Sequence, residues 1–228
     1  MGTSAAEHDE DETTIVVSTG RAALEGTHAV PADAAGVVLF AHGSGSSRHS
    51  PRNRMVAAQL RRVGLATLLL DLLSAEEEAI DAGTATLRFD IGLLAGRLAA
   101  ATDWLAGHEP TRGLPLGYFG ASTGAAAALV AAAERPEVVG AVVSRGGRPD
   151  LAGEVLGGVC APTLLIVGGS DRAVVACNRD ALARLRVERA LEIVPGATHL
   201  FEEPGALERV AALACGWFAR HLGGSASG

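Results

Sequence analysis

Short apolar runs alternate with amphipathic stretches along most of the chain. Six runs predict buried strands, at residues 36–42, 66–70, 115–119, 138–144, 163–167 and 190–194. A β-branched run at 14–18 is predicted to pair with 21–28 as a hairpin. Apolar residues at helical spacing predict helices at 53–63, 91–105, 122–134, 178–185 and 207–221, and a short helix at 150–156. The polar segment 74–89 is predicted to be a loop with a short helix.

This alternation indicates the fold class. Fully apolar strands separated by helices are typical of an α/β protein, with a mostly parallel sheet covered by helices on both faces. We predict one domain over residues 14–222, between a disordered acidic tail at 1–13 and a flexible tail at 223–228. Ligands of such sheets bind beyond the carboxyl ends of the strands, so the chemistry is sought in the residues that follow each strand.

Composition narrows the function classes. The 228 residues carry a formal net charge of −7, which argues against nucleic acid and anionic membranes as partners. The chain has no lysine, which excludes a Schiff-base lysine, a P-loop lysine and a Ser-Lys dyad. Three scattered cysteines show no metal-type spacing. No signal pattern or apolar span is evident, so we expect a cytoplasmic protein. We also expect the protein to need no metal and no cofactor.

The segment Gly120-Ala121-Ser122-Thr123-Gly124 fits the pattern G-x-S-x-G, between a predicted strand and a predicted helix. A sharp strand-to-helix turn projects the serine hydroxyl, and small neighbours let the two backbones approach closely. The alternative is an ordinary tight turn in which Ser122 only caps the helix. The context favours Ser122 as a nucleophile, with the helix N-terminus lending positive potential to developing negative charge.

A nucleophilic serine needs a base, and the base needs an orienting acid. His199 follows the last predicted strand and is the predicted base. Asp171 follows the strand at 163–167 and is the predicted acid, although a turn or cap residue would look the same. Asp150 and Asp180 are the alternatives for the acid, and Asp180 falls inside a predicted helix.

Acyl transfer also needs two donors for the oxyanion. The backbone N–H of Thr123 is one candidate, because it directly follows the nucleophile. The loop after the strand at 36–42 supplies the other, and we predict the N–H of Ser44, with Gly43 and Gly45 as alternatives.

Four segments together resemble the α/β-hydrolase superfamily, and within it the dienelactone-hydrolase-like branch. They are FAHGSGSS at 40–47, FGASTGAA at 119–126, VGGSD at 167–171 and GATHLF at 196–201. The resemblance spans about residues 20–222 and implies the roles of nucleophile, acid and base for Ser122, Asp171 and His199. Dienelactone hydrolases proper use a cysteine nucleophile, so the serine favours ordinary serine esterase chemistry. Only residues 145–161 separate two strands where the superfamily often inserts a lid, so no large lid is expected.

The sequence therefore predicts a serine hydrolase that cleaves small esters or lactones through an acyl-enzyme. An amide, thioester or C–C bond hydrolase with the same triad is the alternative, as is a non-catalytic scaffold that binds a ligand or partner. Arg145 and His42 are the predicted substrate-binding side chains, and Arg48 and Arg52 lie in the oxyanion-side loop. These arginines could instead pair with acids such as Asp90 or Asp150. The sequence does not indicate an oligomeric state, and a homo-oligomer is one alternative.

Overall fold

An eight-stranded sheet organises the protein, whose computed structural model describes residues 12–20 and 22–223. The strands are β1 Thr13–Ser18, β2 Ala23–Ala29, β3 Gly36–Ala41, β4 Leu65–Leu70, β5 Leu116–Ala121, β6 Val139–Arg145, β7 Thr163–Gly168 and β8 Arg189–Val194. Their order across the sheet is β1-β2-β4-β3-β5-β6-β7-β8. β2 pairs antiparallel with both β1 and β4, and every other neighbouring pair is parallel. The predicted hairpin and the mostly parallel sheet are confirmed.

Helices cover both faces of this sheet. They are α1 Pro51–Arg62, α2 Ala75–Thr84, α3 Ile91–Gly107, α4 Thr123–Glu134, α5 Arg172–Arg184 and α6 Ala206–Leu222. Side chains of α1 and α6 share one apolar core with the sheet, and those of α3, α4 and α5 share the other. The four strands β3, β4, β5 and β7 are buried at every position, which explains why their sequences are apolar throughout.

Several predicted boundaries differ from the structure. Helix α5 begins at Arg172 rather than at residue 178, because the Asp171 side chain accepts a hydrogen bond from the Val174 N–H at 3.4 Å and caps the helix. Segment 74–89 contains the ten-residue helix α2, which starts with a capping box between Ser74 and Glu77.

Two smaller differences concern residues 149–158 and the ends of the chain. Pro149–Gly158 is 3-10 helix, interrupted at Gly153 where φ is 61°, rather than a short α-helix over 150–156. Thr13, assigned to the tail by the sequence, is the first residue of β1. The predictions for residues 1–11, Arg21 and residues 224–228 lie outside the described residues.

The parallel strands place their carboxyl ends along one edge. The loops that follow β3, β5, β6, β7 and β8 therefore meet at this edge, and they carry the predicted site residues. Residues 146–162, between β6 and β7, contain only the short 3-10 helix Pro149–Gly158, so no large lid is inserted at this position. Among the helices that the structure describes, none has the length and apolar content required to cross a bilayer.

Candidate active site

Ser122 occupies a strained turn between β5 and α4. Its backbone has φ 50° and ψ −120°, a conformation that residues with a side chain rarely adopt. Its N–H donates to the Arg145 carbonyl at 3.2 Å, and its own carbonyl accepts from the Arg148 N–H at 3.2 Å. The turn is thus held from β6 and from the loop that follows it. The side chain is half-buried at the carboxyl edge of the sheet, as a nucleophile elbow requires.

The two glycines of the pentapeptide are explained by close backbone contacts. A Cβ on Gly120 would collide with the backbone of Ala125, and a Cβ on Gly124 would collide with the carbonyls of Ala41 and His42. Across the turn, a Cβ on Gly43 would lie 3.0 Å from the Ser122 Cβ. The elbow therefore packs directly on the end of β3, and the loop after β3 lies beside the serine.

His42 fixes the conformation of this loop. Its Nε2 accepts a hydrogen bond from the Leu72 N–H at 3.0 Å, so the ring proton is on Nδ1, which donates to the Gly43 carbonyl at 2.9 Å. Burial lowers the pKa of His42, in keeping with a neutral ring. The Gly43 carbonyl also accepts the Ser46 N–H at 3.2 Å. Because a trans peptide points its carbonyl and N–H in opposite directions, the Ser44 N–H is directed away from His42.

Arg48 and Asp71 anchor the other end of the same loop. The Arg48 N–H donates to Asp71 Oδ1 at 2.6 Å, and the Arg48 guanidinium binds the second oxygen of Asp71. The guanidinium also reaches Glu25 at 2.5 Å. Asp71 directly follows β4, so the loop after β3 is tied to the neighbouring strand end. Arg48 is consequently engaged by acids, although not by the two that the sequence analysis considered.

The structure brings Asp171 and His199 together. His199 Nδ1 lies 2.8 Å from Asp171 Oδ2, while Asp171 Oδ1 caps α5. One carboxylate therefore serves both as helix cap and as hydrogen-bond partner of the imidazole, so the two interpretations of Asp171 are compatible. This arrangement fixes the ring orientation and leaves Nε2 as the free nitrogen, as a general base needs.

His199 and Ser122 each lie against the residues at the end of β6 and just after it. A Cβ on Gly146 would lie 3.1 Å from the His199 carbonyl and 3.6 Å from His199 Cε1, and the preceding Arg145 carbonyl binds the Ser122 N–H. Within the residues that the structure describes, Ser122 Oγ makes no hydrogen bond to the His199 ring. In proteins without substrate such contacts are often long and shorten on binding.

The alternative acids are placed differently. Both carboxylate oxygens of Asp150 bind Arg148, at 2.8 and 2.7 Å, and this partner lowers the pKa of Asp150. Asp180 is exposed on α5. Of the three candidate acids, only Asp171 contacts His199.

Arg145 and Arg52 adjoin the His199 loop. Arg52 pairs with Glu202 at 3.2 Å on the surface. Arg145 is buried, its guanidinium lies 5.9 Å from the centre of the Phe201 ring, and Nη2 is 3.4 Å from Asn53 Oδ1. Burial and the nearby charge of Arg52 lower the pKa of Arg145 to about 10. In the described part of the chain Arg145 has no acidic partner, so the alternative that it pairs with Asp90 or Asp150 is wrong.

A cavity of about 340 Å³ adjoins the loop after β3. The loop residues 43–47 and His42 form one wall, three leucines contribute apolar surface, and Glu78 and the Asp81–Arg88 pair supply charge. Asp81 is buried and binds the Arg88 Nε at 2.5 Å. The cavity is large enough for a small acyl or alcohol group next to the predicted oxyanion donor Ser44.

Sequence reasoning missed three supporting residues. Asp71 could have been found, because it directly follows a buried strand, and Asp171 likewise lies just beyond the end of one. The buried Asn178 donates to the Gly147 carbonyl at 2.9 Å and holds the loop beneath His199, yet it looks like any residue of a polar helix face. Phe201 has φ 56°, a conformation for which the sequence gives no signal.

Comparison with known protein families gives a match over most of the chain. The model of the dienelactone hydrolase family matches residues 24–221. The chain belongs to the dienelactone hydrolase family. A dienelactone hydrolase from Anabaena variabilis, known from its crystal structure, is 62% identical, with a TM-score of 0.91 over 92% of this chain and 98% of that chain. The fold is that of the α/β hydrolases, as the resemblance implied.

Two further comparisons concern relatives with other names. Two proteins from strains of Mycobacterium tuberculosis, each named "Putative phosphoribosyl transferase", are 59% identical over 214 residues, which are 94% of this chain and 47% of theirs. The chain thus spans about half the length of the curated relatives it matches. Est1E from Butyrivibrio proteoclasticus shares the fold, with a TM-score of 0.77 at 14% identity over 91% of this chain and 98% of that chain.

Proposed function

We propose that this member of the dienelactone hydrolase family is a serine esterase that cleaves small carboxylic esters or lactones. The observation that carries the proposal is the 2.8 Å contact between His199 Nδ1 and Asp171 Oδ2, at the edge where Ser122 occupies a nucleophile elbow. Family membership supports hydrolysis, and the serine at position 122 supports an acyl-enzyme linked by an ester rather than by a thioester.

In the proposed mechanism, His199 Nε2 accepts the Ser122 hydroxyl proton while Ser122 Oγ attacks the acyl carbon. Asp171 orients the ring and stabilises the imidazolium that forms. The N–H groups of Thr123 and Ser44 bind the oxyanion. The tetrahedral intermediate collapses, the C–O bond breaks, and the alcohol leaves with the proton from His199. Water then loses a proton to His199 and attacks the acyl carbon, the bond from that carbon to Ser122 Oγ breaks, and His199 returns the proton to Ser122 Oγ as the acid leaves.

His42 takes a different role in this proposal from the substrate-binding role that the sequence predicted. Both ring nitrogens of His42 bind backbone, so we assign it to orienting the Gly43–Ser44 peptide. The three leucines of the cavity wall support substrates with a small apolar group. Amides, thioesters and C–C bonds need the same triad and differ in the leaving group, so substrate assays must distinguish them.

The experiment is an ester panel with matched acyl groups. We expect the wild-type protein to hydrolyse short-chain p-nitrophenyl esters and simple lactones, and the Ser122→Ala variant to retain the fold by circular dichroism and lose turnover. Activity that survives in Ser122→Ala, or that a wild-type protein shows only on amides, would refute the proposal. Incubation with a phosphoribosyl diphosphate donor, followed by pyrophosphate detection, tests the activity that the name of the Mycobacterium relatives implies.

A further inference from the structure

Arg145 is the buried group that the proposed mechanism leaves unexplained. It is 6% exposed, and its Nε has no hydrogen-bond partner among the described residues. Taking a guanidinium out of water is costly, and a carboxylate usually compensates for it. Here the compensating groups are the amide oxygen of Asn53 and the face of Phe201. A guanidinium that stays buried without a carboxylate partner is a candidate for a functional role.

Arg145 lies next to the loop that carries His199. Arg145 ends β6, and the next residue, Gly146, lies directly beneath the His199 backbone. Phe201 follows His199 by two residues and has 1% of its surface exposed. Its φ of 56° costs free energy that surrounding contacts must offset. The ring of Phe201 is therefore seated on the guanidinium, at a distance at which cations and aromatic faces attract.

From this geometry we propose that Arg145 is a positioning residue for His199, and that it acts through the Phe201 ring. The cation holds Phe201 in its left-handed conformation, and the Thr198–Phe201 turn, closed by a 3.3 Å hydrogen bond from the Phe201 N–H to the Thr198 carbonyl, then presents His199 to Asp171. The effect of Arg145 on catalysis rests on the proposed function. Its effect on the Asp171–His199 contact can be measured without turnover.

The test uses Arg145→Met and Phe201→Leu, singly and together, with Arg145→Lys as the conservative variant. The first readout is proton NMR of the far-downfield signal of His199 Nδ1–H, assigned by its loss in His199→Gln. We expect the signal in the wild-type protein, broadening or loss in each single variant, and partial recovery in Arg145→Lys. A sharp, unshifted signal in folded Arg145→Met would overturn the proposal. This readout stands even if the wild-type protein hydrolyses no ester, which would refute only the proposed function.

The second readout is kinetic. We expect each single variant to lower kcat by 10-fold or more with KM within 2-fold, and the double variant to be no worse than the poorer single one, because both changes break one contact. A rise in KM alone would show that Arg145 binds substrate, and additive losses in kcat would exclude action through Phe201. Either result overturns the proposal.

Arg52→Met is the matched control, because Arg52 contacts the same loop through an exposed ion pair with Glu202. We expect a change in kcat below 2-fold. A loss equal to that of Arg145→Met would show that removing either positive charge beside this loop has the same effect, which contradicts a specific role for Arg145. If Arg145→Met does not fold, the NMR signal and the kinetics are measured on Phe201→Leu and Arg145→Lys instead.

Discussion

At the scale of single residues, the elbow depends on three glycines: a Cβ on Gly120 or Gly124 would overlap backbone atoms, and a Cβ on Gly43 would press tightly on Ser122. Gly120 and Gly124 allow β5, α4 and the end of β3 to approach one another, and Gly43 allows the oxyanion-side loop to lie against Ser122. The strained backbone of Ser122 is the result. Glycine is required here by contact distance, since none of these three glycines has a positive φ.

The first prediction follows from this contact. Gly124→Ala places a methyl group on the carbonyls of Ala41 and His42, so the backbone must move, and we expect a loss of ~1–3 kcal/mol in the free energy of unfolding, together with loss of activity. Urea unfolding measures it. Gly216→Ala is the control, because that glycine lies in α6 with open space around it, and we expect a gain of about 0.5–1 kcal/mol. Equal effects at the two positions would contradict the packing argument.

The second prediction distinguishes Asp171 from Asp150 as the acid that acts on His199. Asp171→Asn removes the charge opposite His199 Nδ1, and we expect kcat to fall roughly 10³–10⁴-fold. Asp150→Asn breaks only the Arg148 pair, and we expect kcat within a few-fold of wild type. Steady-state kinetics on one ester measures both. If the larger loss falls on Asp150, the acid has been assigned to the wrong residue.

The sequence predicted single residues correctly where neighbouring residues in the chain determine the local geometry. The spacing of Gly120, Ser122 and Gly124 carries the elbow, and the elbow geometry is present as expected. The surroundings of Arg145 could not be predicted, because Asn53 and Phe201 are distant in sequence and only the fold brings them to one place. Whether Ser122, Asp171 and His199 act as a triad stays a prediction.

At the scale of secondary-structure elements, the loops are more constrained than their sequences indicate. The loop after β3 is held at both ends, by His42 on Leu72 and by Arg48 on Asp71. Helix α5 is longer than predicted because the adjacent buried residues Val174 and Val175 in its first turn show no helical spacing, and the start of the helix depends on the Asp171 cap. Periodicity detects the interior of an element, whereas caps and tertiary hydrogen bonds decide its ends.

A histidine–tryptophan cluster between β2 and α3 gives the third prediction. His28 is buried against Trp104 and His108, with ring centres 5.7 and 5.1 Å away. Burial, with a smaller contribution from the charge of His108, lowers the pKa of His28 from 6.5 to about 4. The unfolded chain thus binds this proton more tightly than the folded protein. Stability from neutral His28 is present above pH 6.5 and is lost as the pH falls from 6.5 towards 4.

We expect this linkage to cost about 2 kcal/mol of unfolding free energy between pH 7 and pH 5. Urea unfolding at both pH values, followed through tryptophan fluorescence, measures it. In His28→Phe, which keeps an aromatic ring against Trp104, the pH dependence should be smaller by that amount. The exposed His49→Gln serves as control and should behave as wild type. An unchanged pH dependence in His28→Phe would show that other groups cause it.

At the scale of the whole molecule, the sheet assembles the site from segments far apart in sequence. Ser44 follows β3, Ser122 follows β5, Asp171 follows β7 and His199 follows β8, and parallel strands bring all four to one edge. The sequence predicted the fold class and the edge, because apolar strands alternate with helices. The order of the strands, and hence which loops are neighbours, depends on long-range packing and could not be read from the pattern.

If this edge contains an activated serine, a fluorophosphonate should modify Ser122 covalently, and intact-mass analysis after treatment measures that modification. We expect one covalent adduct on the wild-type protein and none on Ser122→Ala, with Asp171→Asn labelled much more slowly than Asp150→Asn. A folded wild-type protein that gains no adduct, or a Ser122→Ala variant that is still labelled, would show that Ser122 is not an activated nucleophile.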